Sequence, residues 1–212
     1  MDWYISFRTR RTDKLEDDAH RVWTWMQALA PLTPALSLWR PTSDSRKKAY
    51  ASPPITEAEL TQRILDAETR TELPIFTCSP TFVGTIDGQG SKTLISFNLP
   101  EPGDMGVSLE GGVQLSAAID ASEDLADAIM RTSITVLAPT IGTMNLLRKS
   151  AYMYGGGPAP FTYSPGWKMF FSTTSPHHAH ALQLATRTEP TTHGTLCTFG
   201  TPDTYPDILD QW

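Results

Sequence analysis

Three histidines in four positions, His177, His178 and His180, are the most conspicuous group of side chains able to bind a metal or move a proton. Imidazoles set this close can hold zinc or nickel, and a neutral ring can take a proton from a nucleophile. The surrounding sequence completes neither site, because HExxH and CxxC patterns and a nearby carboxylate are missing. On a strand, adjacent side chains point to opposite faces, so only His178 and His180 could share an ion. The group therefore reads as a polar turn entering a strand, and a small hydrolase or metal-binding enzyme using His177, His178 and His180 is the alternative. His20, beside the apolar stripe of a helix, reads as a partly buried helix residue rather than a base.

Two cysteines, Cys78 and Cys197, are too few for a disulfide framework and too far apart for a zinc knuckle. Cys197 lies in TLCTFG, an alternating strand without a helix N-terminus to lower its pKa, so both read as reduced core thiols. No GxSxG elbow and no GxxxxGK[ST] loop occurs, and Gly155-Gly156-Gly157 runs into Pro158 without a helix start to hold phosphate. Arg8, Arg10 and Arg11, and Arg46, Lys47 and Lys48, lack interleaved aromatics and read as solvated faces. The expectation is a protein with no catalytic residue, metal or cofactor.

What remains is a surface. The net charge of −6 disfavours a nucleic-acid binder, and it is unevenly spread. Residues 1 to 50 hold nine Lys or Arg and six acids, whereas Thr93 to Met130 holds seven acids and no base. Asp120, Glu123, Asp124 and Asp127 are the dense part of that run, and Asp203, Asp207 and Asp210 make a second acidic stretch in TPDTYPDILDQW. Such charges can steer a basic protein partner, and they also stabilise a helix N-terminus with no partner at all.

The elements that must position these groups follow from periodicity. Trp3, Ile5 and Phe7 alternate with Tyr4, Ser6 and Arg8, the pattern of a half-buried strand. Asp13 with Glu16 caps a helix whose stripe is Leu15, Ala19, Val22, Trp23, Met26 and Ala30, leaving Asp17, Asp18 and Arg21 off the core face. The stretch from Arg40 to Pro54 reads as a polar, basic loop, and Thr56 with Glu59 caps the next helix. Phe82 to Ile86 and Leu94 to Leu99 form a hairpin, and Val107 to Ala117 a second one turning at Gly111-Gly112. Ser122 caps a third helix that ends before Pro139, and further strands are expected at 143–148, 167–171, 181–185 and 195–199. Strand, helices, hairpins, helix and strands describe an α+β fold, a mainly antiparallel sheet with helices packed on it, in a single domain over residues 1–212.

Composition sets the bounds. With 40% apolar and 19% charged residues in 212, the chain is an ordinary globular protein able to build a core without staples. No apolar run is long enough to span a bilayer, and the basic residues of MDWYISFRTRR follow the apolar ones, the reverse of a secretory signal. A cytoplasmic protein that touches no membrane is expected.

The first forty residues resemble a known family. An aromatic strand ending in Arg8, a helix with Ala19 and Arg21 leading to Trp23, Met26 and Leu29, then Pro34 and Trp39, resembles the start of the immunity protein 52 family of bacterial toxin systems. SPGWKMFFS, at Ser164 to Ser172, resembles a late Gly-Trp strand of that family, and TPDTYPDILDQW resembles its ending. The resemblance implies a non-enzymatic cytoplasmic antitoxin that binds a cognate effector, in most cases a restriction-endonuclease-like nuclease delivered by type VI secretion. It carries over no catalytic residue. An acidic protein suits by charge a nuclease channel that must hold phosphate.

Overall fold

The computed structural model describes residues 3–10, 12–69, 81–86, 89–98, 108–115, 122–146 and 165–212. The strands are β1 (Trp3–Arg10), β2 (Trp39–Pro41), β3 (Thr81–Ile86), β4 (Gln89–Asn98), β5 (Ser108–Leu115), β6 (Ile141–Leu146), β7 (Lys168–Ser172), β8 (Arg187–Pro190) and β9 (Gly194–Thr198). The helices are α1 (Leu15–Leu29), α2 (Arg46–Ala51), α3 (Glu57–Thr69), α4 (Glu123–Leu137), α5 (His178–Leu184) and α6 (Tyr205–Leu209). The strands form one sheet in the order β2-β3-β4-β5-β1-β6-β7-β9-β8, and every neighbouring pair is antiparallel. This is the α+β architecture expected from the pattern.

β1 is the central strand. Trp3, Ile5 and Phe7 are buried on one face while Tyr4, Ser6 and Arg8 are half-buried on the other, as period 2 requires. It pairs with β5 along its whole length, Trp3 opposite Leu115 and Arg10 opposite Ser108, and with β6, Trp3 opposite Leu146 and Arg8 opposite Ile141. α1 and α4 cover its apolar face. The Phe7 ring meets Trp25 of α1 edge-on at 6.0 Å between centroids, and the Trp25 Nε1–H donates to Ser133 Oγ of α4 at 2.8 Å. The Ser133 hydroxyl in turn donates a hydrogen bond to the Ile129 carbonyl at 2.7 Å, so this polar bridge between the two helices is satisfied at both ends.

Several expectations change here. The buried stripe of α1 is Asp18, Ala19, Val22, Trp25, Met26 and Leu29, so Trp25 is the core tryptophan and Trp23 is only half-buried. Asp18, expected off the core face, is fully buried. Its carboxylate accepts from the Thr12 backbone N–H at 3.1 and 3.2 Å and from Arg21 Nη2 at 2.7 Å, and Arg21 Nη2 also donates to the Arg10 carbonyl at 2.9 Å. This pair ties the first turn of α1 to the end of β1. The residue before α1 is Lys14, which makes no side-chain cap, so Asp13 does not serve as one.

The basic loop after Trp39 contains a helix, α2, whose start is capped by Ser45 Oγ accepting from the Lys48 N–H at 3.3 Å. Gly111-Gly112 is not a turn: both lie inside β5, Gly111 opposite Phe7 and Phe97, Gly112 opposite Ser6 and Ser96. Two flanking strands supply the ladder bonds that make such glycines tolerable in a strand. The strand expected at 181–185 is instead α5, while Ser175 Oγ and the Ser175 carbonyl accept from the His177 and His178 N–H groups at its start. The caps by Thr56 with Glu59 and by Ser122 are present as expected. Gly166, in the Gly-Trp stretch, sits where a Cβ would lie 2.4 Å from the Met144 carbonyl oxygen, so only glycine lets β7 start this close to β6. The edge strands, β2 and β8, are short and each ends in a proline, Pro41 and Pro190.

Trp25→Ala should cost about 3 to 5 kcal/mol of unfolding free energy, and Ser133→Ala, which orphans a buried indole N–H, about 1 to 3 kcal/mol. Trp23→Ala should cost clearly less than Trp25→Ala. Urea unfolding of the three variants checks the order, and a larger loss at Trp23 would contradict this core.

Candidate functional site

The acidic residues fall on two faces of the sheet. Glu123, Asp124 and Asp127 occupy the first turns of α4, where the dipole and the free N–H groups favour negative charge. Side chains alternate along β7, so Lys168 faces α4 whereas Phe171 faces the opposite side, where Trp212, three residues beyond α6, packs against it. Asp203, Asp207 and Asp210, all exposed, belong to that second face. The two acidic stretches of the sequence are therefore not one patch. Asp120 lies outside the described residues.

Two α4 carboxylates, Glu123 and Asp127, are engaged. Lys168 Nζ donates to Glu123 Oε1 at 3.2 Å and to Asp127 Oδ1 at 2.9 Å, while it lies 4.8 Å from the centroid of the Trp167 ring. Arg131 donates from Nε to Asp127 Oδ2 at 2.6 Å and from Nη2 to Glu189 Oε2 at 2.7 Å, and Arg187 Nη2 stands 3.1 Å from Glu189 Oε1. The chain of alternating charges joins α4 to β7 and β8. For Asp127, burial is the largest influence and would raise the pKa, but the hydrogen bonds from Lys168 and Arg131 outweigh it and hold the carboxyl below its ordinary value. Arg131 is pushed up by the hydrogen bonds it gives to Glu189 and Asp127. Of the α4 acids, Asp124 is exposed at the helix start and Glu123 is exposed but bonded.

The histidines do not converge on an ion. On the helix that replaces the expected strand, His178 and His180 lie on different sides, and His178 Nε2 is 3.0 Å from Thr195 Oγ1. His177 and His180 instead rest on the Trp212 ring, with centroids 5.8 and 4.9 Å away. Among the described residues no group of three or more His, Cys, Asp or Glu is placed to hold a metal. Cys197 is buried in β9 and its thiol is pushed up to about 11 by burial, which leaves no thiolate at neutral pH. Cys78 lies outside the described residues. His20 is exposed rather than partly buried, its Nδ1 2.6 Å from Glu57 Oε1 of α3.

Sequence reasoning missed three structural anchors. Trp25 was legible, since Val22, Trp25, Met26 and Leu29 keep the i, i+3, i+4, i+7 spacing. The burial of Asp18 and the pairing of Lys168 with α4 carry no local signal, because the partners are fixed only when β1, α4 and β7 assemble.

No family model matches this chain, and no curated protein matches it. Among solved structures the chain is similar to the Pseudomonas aeruginosa T6SS protein PA0821, with a TM-score of 0.49 and 10% identity, over 98% of this chain and 73% of that one. No helix among the described residues is long and apolar enough to cross a membrane.

Because the folded pKa of Asp127 is lowered from 3.8, its contribution to stability is complete above that value and is lost as pH falls through it toward the folded value. Asp127→Asn should flatten the acid limb of the stability profile, measured by urea unfolding between about pH 3 and pH 6. An unchanged acid limb would show that the carboxylate is not held by Lys168 and Arg131.

Proposed function

We propose that this protein is an immunity protein that binds a cognate secreted toxin, a nuclease effector of type VI secretion with a restriction-endonuclease-like fold, and neutralises it in the cytoplasm without catalysis of its own. The observation that carries this reading is that the separate stretches resembling the immunity protein 52 family meet in space. The rings of Trp3, from the first stretch, and Trp167, from the Gly-Trp stretch, lie 6.4 Å apart, and β1 and β7 both pair with β6. Arg21 of the same pattern holds Asp18, and Trp212 of the closing stretch stacks on Phe171 of the Gly-Trp strand. The stretches behind the resemblance thus belong to one sheet and the helix packed on it.

The partner in this reading is a protein, and neither nucleic acid nor membrane is touched directly. A nuclease cleft is basic because it holds phosphate, and a negative surface raises the rate at which it is met. The carboxylates suited to that role are the exposed ones, Asp124 on α4 and Asp203, Asp207 and Asp210 around α6. Asp127, and Glu123 with it, fix α4 on β7 through Lys168. A hydrolase built on His177, His178 and His180 finds no support in rings that pack on Trp212 and Thr195.

The test is co-production with the toxin encoded beside this gene. The two should purify together, and the protein should protect cells from the toxin. Asp124, Asp203, Asp207 and Asp210 changed together to Lys should slow association about tenfold or more at low salt, leave dissociation nearly unchanged and weaken protection. Failure to bind or protect overturns the immunity reading; full protection with unchanged association overturns the assignment of these acids.

A further inference from the structure

The segment 201–212 is held on the sheet by a cluster of rings around Trp212. The indole stacks on Phe171 of β7 at 5.8 Å and 25° and meets Phe199 at 6.4 Å. On the α5 side it meets His180 at 4.9 Å and 37°, and His177 edge-on at 5.8 Å and 62°. His177 and His180 stand three residues apart, so they share one side of the α5 turn and reach the same indole. The His180 Nε2 is buried with no hydrogen-bond partner among the described residues. A second N–H on that ring would find no acceptor among them. The segment also has a place to bend: Gly200, where it leaves β9, has φ +72, and a Cβ there would lie 2.6 Å from Thr204 Oγ1.

We propose that His177, His180 and Trp212 form an acid-released clasp, in which the two imidazole rings hold the segment 201–212 on β7 and β9 and protonation of His177 lets it swing out about Gly200. Among the described residues, the ionisable side chains near the clasp can be placed by element. By alternation, β7 presents Met169 and Phe171 to this face and β9 presents Thr195 and Cys197, while Lys168, Arg187 and Glu189 lie on the α4 face. Cys197 stays a neutral thiol. α5 adds His178, beside Thr195, and the turn between β8 and β9 adds the exposed His193. The segment itself brings buried Tyr205 and the exposed Asp203, Asp207 and Asp210.

In the docked form His177 is held below its ordinary value of 6.5, first by burial and then by the neighbouring His180. Release of the segment relieves that burial, so the ring then takes a proton more readily than in the docked form. Docking is therefore at full strength above the ordinary value and weakens as pH falls through it, because the released state binds the proton more tightly. The clasp is a property of the free protein and stands apart from the toxin-binding reading, although the segment carries three of the acids assigned there.

Amide hydrogen exchange on the free, full-length protein tests it. The N–H groups of Tyr205, Asp210, Gln211 and Trp212 each donate within the segment, to Thr201, Pro206, Ile208 and Leu209. Corrected for intrinsic exchange, they should open roughly tenfold more readily at about pH 5.5 than at about pH 7.5, while the amides of Ile5 and Phe7 hold constant. His177→Phe combined with His180→Phe keeps a ring on either side of the indole and should abolish the response. A wild type with no acid response, or a double variant as responsive as wild type, overturns the clasp. If the double variant does not fold, the wild type decides through its own titration: the His177 ring signals must move together with the Trp212 indole N–H, and independent movement overturns the proposal equally.

Discussion

The double pairing of β1 is the constraint on which the rest of the structure depends. β1 joins the hairpin arm of β2, β3, β4 and β5 to the arm of β6, β7, β9 and β8, and no other described strand touches both. Its partners come from far along the chain: Ser6 Oγ lies 2.7 Å from Thr143 Oγ1, and Thr9 Oγ1 donates to the Leu137 carbonyl at 3.1 Å, across separations of 137 and 128 residues. Burial of Trp3, Ile5 and Phe7 under α1 and α4 is what offsets the entropy of closing such loops. A topology of this kind orders late, since the chain must close its longest loops before its central strand has both neighbours.

Charge in this protein is organised by the fold rather than by the sequence. Seven acids without a base from Thr93 to Met130 look like a single negative run. The sheet answers the α4 part of that run with Lys168 and, one turn later in the same helix, Arg131. Exposed ion pairs contribute little individually, but here they link three elements in series, and Lys168 is only 15% exposed. Exposed carboxylates stand at Asp124 and, on the α6 side, at Asp203, Asp207 and Asp210, so the electrostatic face differs from the one a linear count suggests.

Local physics was readable from the residues, and assembly was not. The alternation of β1, the reciprocal cap of Thr56 with Glu59, the Ser122 cap and the hairpin of β3 with β4 each depend on a few neighbouring residues, and each is present. Gly111-Gly112 misled because turn chemistry and a glycine pair inside a doubly paired strand look alike until both neighbours are known. The histidine stretch misled because alternating His and Ala imitates a strand, while Ser175 and Pro176 before a run of Ala and Leu were the helix signal. At the candidate interface the sequence identified the acids but not which of them are already spoken for.

The prolines at the two borders of the sheet have a further meaning. A sheet whose outer strands are three and four residues long offers little backbone for another chain to zip onto. Pro41 and Pro190 each remove a donor from that rim, and the Trp39 carbonyl is already taken by the Ile55 N–H at 2.8 Å. Strand-by-strand growth into fibres is discouraged at both ends, and so is recognition by donation of an extended peptide. Along these two edges, a docking partner would have to grip side chains, where shape and charge rather than main-chain bonding decide what is accepted.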